Sequence, residues 1–298
     1  MKGSILINVL KSLLLLVVLI ALFGVGYLKY TGAWNALFPS SDHDVVAPEL
    51  PAKLGSPAVL LFSKTNGFRH KEGIQGGSAA LSEIADDNTW AIYATENGAV
   101  FDDAHLQRFD VVVFLNASGD MLSAPQEQAF QRWMDAGGGW LGIHAAGDGS
   151  HAFWHWYMDN LIGAEFIAHP MDPQFQRATV VVEAAEHPVM NTLPATWEHL
   201  EEWYSWSSSP REQGFTVLAT VDERSYSPVQ KFMGQERDLH MGDHPIAWSN
   251  CVGQGRSVYI AMGHQAEAFE NREFRLMLKN ALTWLLESNS GSTACTAD

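Results

Sequence analysis

The hydrophobic pattern changes character along the chain. Residues 12–28 are an uncharged and almost wholly apolar run. With Ile5 to Leu10 before it, across Lys11, it covers the roughly 20 residues that a bilayer requires. Lys2 and Lys11 precede the run, and Tyr27, Tyr30 and Trp34 stand at its far end with Lys29 among them. More positive charge before the span and aromatics at its exit predict an N-in, C-out segment. Lys29 weakens that asymmetry without reversing it. Residues 1–34 therefore read as a single-pass anchor in the inner (cytoplasmic) membrane, with the globular part outside the cytoplasm, in the periplasm. A cleaved signal peptide is the alternative, but the run is long for one and no small-x-small cleavage site follows it.

Residues 35–57 carry Pro39, Pro48, Pro51 and Pro57 with Ser40, Ser41, Asp42 and Asp44, the composition of an extended linker. Residues 288–298 are a polar tail, expected to be disordered. The folded domain is then about residues 58–287. Within it, apolar runs at 58–62, 90–94, 111–115 and 139–143 read as strands. The run at 111–115 is apolar throughout, as a strand covered on both faces should be. Between these strands, residues 73–85 place Ile74, Ala80, Leu81 and Ile84 at helical spacing. Asp102 or Asp103 caps a short helix. Ser123 caps another that runs to Ala136, with Pro125 in its first turn. Strands separated by helices imply right-handed βαβ units and a parallel sheet. Further on, 178–183 and 215–220 read as strands, 246–248 and 256–261 as a closing pair, and 270–286 as a final amphipathic helix.

The net charge of −16 argues against a nucleic-acid partner, because phosphate contacts need clustered Lys and Arg. Solubility alone accounts for it, though it also suits a neutral or cationic small molecule. Cys251 and Cys295 are too few for a disulfide framework or a cysteine-based metal site, and a bond between them would fit only an oxidising compartment. No phosphate loop, H-E-x-x-H or C-x-x-C is present, and the glycines at 137–139 precede a strand, so they are not a dinucleotide fingerprint.

The candidate chemistry lies in turns. Residues 137–149 read as a short buried strand ending in a small-residue bend that carries His144, the geometry of a nucleophile elbow without its Ser or Cys. His70, His151, His169, His187, His244 and His264 also lie beside Gly, Pro or turn residues, and such turns gather at one edge of a parallel sheet. Arg69 could fork onto a carboxylate or sugar hydroxyls. Glu201 and Glu202 sit beside Trp203, Tyr204 and Trp206. Aromatic faces stack on sugars, and a carboxylate in apolar surroundings has a raised pKa, suited to acid–base work. Glu267 is spaced to orient the His264 imidazole, or else to cap the next helix. A histidine-rich zinc or manganese site is compatible with the composition, and the spacing does not specify one.

Taken in order, residues 66–70 (NGFRH), 137–149, 168–170 (AHP), 187–188 (HP), 202–204 (EWY), 243–248 (DHPIAW), 253–256 (GQGR) and 263–264 (GH) resemble the ThuA-like (trehalose utilisation) family across essentially all of 58–287. The resemblance implies the fold of class I glutamine amidotransferases, a flavodoxin-like, mostly parallel sheet with helices on both faces, here preceded by one transmembrane helix. Members of that superfamily carry Cys at the elbow and a His-x-Glu element after a late strand. His144 stands in the Cys position, so amidotransferase chemistry is not expected. Residues 264–267 depart by one residue from the His-x-Glu spacing, which leaves the role of Glu267 open. The family's association with disaccharide and keto-sugar metabolism implies a sugar or oxidised-sugar substrate.

Two readings follow. In the first, the protein is a sugar-modifying enzyme catalysing isomerisation, elimination or hydrolysis. His144, His264 and Glu202 are catalytic; Arg69, His70, Trp203, Tyr204 and Asp148 bind substrate; and a divalent metal (Zn or Mn) would sit on His144, His169, His244 and His264. In the second, it is a membrane-tethered, non-catalytic carbohydrate-binding module. Convergence of His144, His169, His244 and His264 favours the first, and scatter the second. The oligomeric state is not readable.

Overall fold

The computed structural model describes residues 2–287. The polar tail at 288–298, with Cys295, lies outside the described residues. Helix α1 (Lys2–Thr31) is apolar on every side, and its segment Ile5–Thr31 is long and apolar enough to cross a membrane, with none of it buried against the rest of the chain. It stops at Gly32, whose φ of +81° suits glycine and whose missing Cβ makes room for the Arg69 carbonyl. A single turn, α2 (Trp34–Leu37), follows.

Residues beyond α2 do not behave as a free linker. The Ser40 N–H donates to Asn66 O (3.1 Å), and Lys64 Nζ and the Gly98 N–H both donate to the Asp44 carboxylate (2.5 and 2.8 Å). Gln126 donates to Asp44 O (2.8 Å), and His43 pairs with Asp120 (2.9 Å). The expected linker is a strap, fastened because its backbone groups and the His43 and Asp44 side chains find partners in the loops it crosses.

The core is a nine-stranded sheet in the order β2-β1-β3-β4-β13-β12-β9-β6-β7. Its first five strands are mutually parallel: β1 (Ala58–Phe62), β2 (Ala91–Thr95), β3 (Val111–Leu115), β4 (Gly139–Ile143) and β13 (Gly255–Ile260). This 2-1-3-4-13 order is the flavodoxin-like doubly wound arrangement, in which ligands bind beyond the carboxyl ends of the strands near the point where the order reverses. Strand β13 then pairs antiparallel with β12 (Pro245–Val252), which continues through β9 (Thr216–Val221) and β6 (Gln176–Val182) to the edge strand β7 (Thr196–Glu201). Two short ladders complete the strands, β5 (Phe166–Ala168) with β8 (Ser205–Trp206) and β10 (Val229–Phe232) with β11 (Gln235–Asp238).

Helices cover both faces of the parallel half. On β3, Phe114 stacks on Phe130 of α5 (Ala124–Asp135; centroids 5.4 Å apart), whereas the next residue, Leu115, lies against Gly77 of α3 (Lys71–Asp87). Alternation along the strand thus assigns α5 to one face and α3 to the other. Helix α4 (Asp103–Leu106), capped by Asp102, packs on α5. A short helical stretch begins at α6 (His155–Tyr157), and the last helix, α7 (Arg272–Leu286), packs beside α3. It buries Phe274, Leu278, Ala281, Leu282 and Leu285, the face that its spacing predicts.

Candidate functional site

Four strand ends deliver the site. His70 follows β1 and immediately precedes α3, His144 follows β4, His264 follows β13, and Glu202 follows β7, where the chain turns back over the sheet. One ligand atom from each of His70, His144, Glu202 and His264 lies within 4.8 Å of all the others. His144 Nε2 is 3.1 Å from His264 Nδ1 and 3.5 Å from Glu202 Oε2. His264 Nδ1 is 3.0 Å from Glu202 Oε2, and the His70 ring meets those of His144 and His264 edge-on, with centroids 4.7 and 4.5 Å apart.

Local structure explains the convergence. His144 has φ of +51°, a left-handed conformation that a non-glycine residue adopts only when its surroundings enforce it. Tyr259 Oη donates to His144 O (2.7 Å), and Tyr157 Oη donates to Ala146 O (2.7 Å), which fixes the bend. Asn116, beyond β3 and also at positive φ, donates to Gly263 O (3.0 Å). Helix α3 brings His70 inward because its first turn carries glycine. A Cβ on Gly73 would fall 2.6 Å from His264 O and 2.7 Å from Asn116 Nδ2, so only glycine lets the helix start this close to the turn bearing His264.

The carboxylates set the electrostatics. Burial by itself would raise Glu202, but the His144 and His264 imidazoles on its carboxylate, with the charges of His264 and His169, hold it well below the usual carboxylate range. The sequence-based expectation of a raised pKa is thus reversed, because the aromatic neighbours are accompanied by imidazoles. Glu201 is also lowered against its burial, first by the His199 imidazole 3.6 Å away, then by the charge of His144 and by the Gly263 N–H. Its oxygens accept from the backbone N–H groups of Gly263 (2.6 Å), Glu202 (2.9 Å) and His264 (3.3 Å). Burial lowers His144, but the two glutamates outweigh it and raise the imidazole. His70 is held well below the ordinary histidine value by burial, then by the neighbouring His144 and His264.

Of the other residues singled out from sequence, Tyr204 directs its hydroxyl to His144 Nε2 (3.0 Å), and His169 Nδ1 stands 3.1 Å from Glu202 Oε1, the carboxylate oxygen away from His264. His244 is not in the cluster. Its Nδ1 meets Glu223 Oε1 (2.8 Å) and its Nε2 meets Tyr204 O (2.8 Å), so both nitrogens are spent on structure. His70 takes the place that had been given to it. Trp203 is buried, with its indole N–H on Gln176 O (2.8 Å), and so presents no face for stacking. Arg69 forks onto Glu96 (2.6 and 3.1 Å). Asp148 lies past the elbow, accepts from the Ser150 N–H (2.9 Å) and borders a separate cavity under the strap. Glu267 is exposed, and Glu202 does the orienting of His264 expected of it. His151 and His187 bind Ala117 O and Ser249 respectively, away from the cluster.

From sequence His70 reads as a substrate contact, and neither Glu201 nor Asn116 stands out as a support. The signals were the glycines at 73, 76 and 77, which mark a close approach of α3, and an asparagine directly after a buried strand.

The profile of the trehalose utilisation (ThuA) family matches residues 58–285. The chain belongs to the ThuA family. Among solved structures it is similar to a ThuA-like protein from Bacteroides uniformis ATCC 8492, at 26% identity and a TM-score of 0.67, over 80% of this chain and 95% of that one. A ThuA-like protein from Parabacteroides merdae ATCC 43184 shares the fold at 16% identity and a TM-score of 0.60, over 77% of this chain and 89% of that one. No curated protein matches. The ThuA match begins at β1 and ends in α7, so α1 and the strap lie outside the shared domain.

Proposed function

We propose that this ThuA protein is a membrane-tethered enzyme, with its domain outside the cytoplasm, that performs metal-assisted acid–base chemistry on a sugar or keto-sugar. The observation that carries the reading is the buried cluster of His70, His144, Glu202 and His264. Three imidazoles and a carboxylate are a donor set suited to Zn or Mn. The residues fit such an ion in three respects. His70 Nδ1 is buried without a hydrogen-bond partner. The Nδ1 of His144 is engaged by Ala261 O (2.8 Å), the outer contact that fixes a ligand tautomer with the Nε2 lone pair turned toward the cluster. Two buried, ionised glutamates supply negative charge that a cation would offset. A bound ion would polarise a substrate carbonyl or acidify a bound water.

The protein's own groups would then do the following. Phe68 and Phe175, which border His70 and His264, offer faces to the apolar side of a sugar ring. His169, on the outer oxygen of Glu202 and one-fifth exposed, can exchange a proton between substrate and solvent. Burial keeps the Tyr204 hydroxyl protonated, because it pushes that group well above 10. Gln174 donates to Glu202 Oε1 and holds the carboxylate in place. A non-catalytic binding module would not need a buried charged cluster of this kind.

The test is elemental analysis of the full chain in detergent, purified without a polyhistidine tag, followed by NMR in D2O with a keto-glycoside. The expectation is about one divalent ion per chain, lost in His144→Ala and Glu202→Gln, and exchange of the proton beside the ketone only in the loaded protein. A wild-type chain that takes up neither Zn nor Mn would refute the metal, and a loaded chain without exchange would refute the acid–base step.

A further inference from the structure

The last two residues of the apolar helix, Tyr30 and Thr31, line the same cavity as His70 and His264. This cavity is about 480 Å³, within the range of roughly 300–1,000 Å³ usual for small-molecule sites. The junction is clamped. Lys71 Nζ donates to the carbonyls of Lys29 and Tyr30, the Arg69 N–H donates to Gly32 O (3.4 Å), and Asn35 donates to Thr65 O (3.4 Å). The loop that positions His70 is therefore tied to the end of the span. Tyr27, Tyr30 and Phe38 are exposed, and with Lys29 and Trp34 they form the aromatic and cationic belt that settles at lipid headgroups. The mouth of the cavity lies at that belt. Lys29 lies over the Trp34 ring (5.3 Å) and Lys71 over the Tyr30 ring (5.1 Å). Neither ammonium has an ion-pair partner among the described residues; Lys71 lines the cavity and Lys29 directly precedes its Tyr30 wall, in a chain whose net charge is −16. Glu72 is the acidic residue on the same wall.

We propose that the site takes its sugar from the membrane surface, as a saccharide carried on a lipid with an anionic headgroup, and not from solution. This rests on the reading of the histidine–glutamate cluster as a sugar site. The bilayer presents the headgroup to Lys71 on the cavity wall and to Lys29 in the last turn of α1. The attached saccharide passes between Phe68 and Phe175 to His70 and His264, while the lipid chains remain in the leaflet beside α1.

The experiment uses the full chain in vesicles of phosphatidylglycerol or phosphatidylcholine, with a photoreactive benzoylphenylalanine at Phe175 or, as a control, at the exposed Phe232 of the β10–β11 hairpin. Lipid adducts are counted by mass spectrometry. Adducts are expected at 175 and not at 232, with phosphatidylglycerol preferred, and Lys29→Gln should lower that preference about fivefold. A glycosyl phosphate on a long-chain lipid should displace the adducts at 175, and the same glycosyl phosphate without the chain should not at equal total concentration. No adducts at 175, equal adducts at both positions, or equal displacement by the soluble compound would overturn the proposal. Metal content is measured on the same vesicles. Displacement without metal would remove the metal and leave this proposal standing, whereas a metal-loaded chain without displacement would remove this proposal alone.

Discussion

Glu201 never touches the cavity in this reading, yet Glu201→Gln should be among the most damaging conservative changes in the protein. Both carboxylate oxygens accept backbone N–H groups, Oε2 from Gly263 and Oε1 from Glu202 and His264. An amide offers one acceptor oxygen. Whichever way it turns, an NH2 group faces at least one buried N–H. In the less costly orientation the Gly263 bond is lost. A hydrogen bond to a charged group contributes about 1.5–3 kcal/mol, and a buried donor left unmet costs about 1–3 kcal/mol more. The expected loss is about 3–5 kcal/mol, or a fall in Tm of roughly 10 °C for a domain of this size. Thermal unfolding of the full chain in detergent measures it. The pH dependence gives a second check. Because the folded-state pKa of Glu201 is depressed, its contribution is complete above the ordinary carboxylate value and is lost as pH falls through and below it. The gap between wild type and Glu201→Gln should therefore narrow on acidification below about pH 4.5. A variant within about 1 kcal/mol of wild type at pH 7, or a gap that does not narrow, would refute this account.

Three further outcomes follow from the same contacts. His144→Gly should be about 1 kcal/mol more stable than His144→Ala, because only glycine meets φ of +51° without strain, while both lose metal; a more stable alanine variant in urea unfolding would contradict this. Gly73→Ala should cost about 1–3 kcal/mol and weaken metal binding, since its Cβ meets the backbone oxygen of His264 and the side chain of Asn116; unchanged melting and unchanged metal affinity would contradict it. Glu127 is pushed up to about 7 by burial and then by Asp120, so the folded state keeps a proton that the unfolded chain releases. Stability should fall as pH rises from about 4.5 to 7, and Glu127→Gln should flatten that slope in pH-dependent unfolding.

Much of the parallel half was legible from hydrophobic runs. Strands β1, β3 and β4 are buried at every position, so each appears as an unbroken apolar run between turn residues and its limits match the structure. Strand β7 was not legible, because its inward positions are Trp197, His199 and Glu201 and two of these are polar. The β10–β11 hairpin carries no buried residue, so it leaves no periodic signal. The site follows the same logic. His144 and His264 sit at strand ends, where the chain itself marks a turn. His244 sits at a similar turn, but Glu223 and Tyr204 satisfy it from well away in sequence, and no local pattern reports that. His70 enters the cluster only through the packing of α3.

The position of β13 has a consequence for biosynthesis. It is the last strand among the described residues, yet it is inserted between β4 and β12, where it joins the parallel half of the sheet to the antiparallel half. Until it is in place, β4 presents an open edge with the fully apolar face of residues 139–143, and His264 is absent from the cluster. At a usual synthesis rate of 5–20 residues per second, the stretch separating β4 from β13 takes on the order of ten seconds to emerge. If the domain is exported, that interval is spent on the far side of a membrane, with an unpaired strand edge that could template aggregation. A nascent chain halted before β13 should therefore be bound by holding chaperones, and completion of β13 should release it, joining the two halves of the sheet and assembling the site in one event.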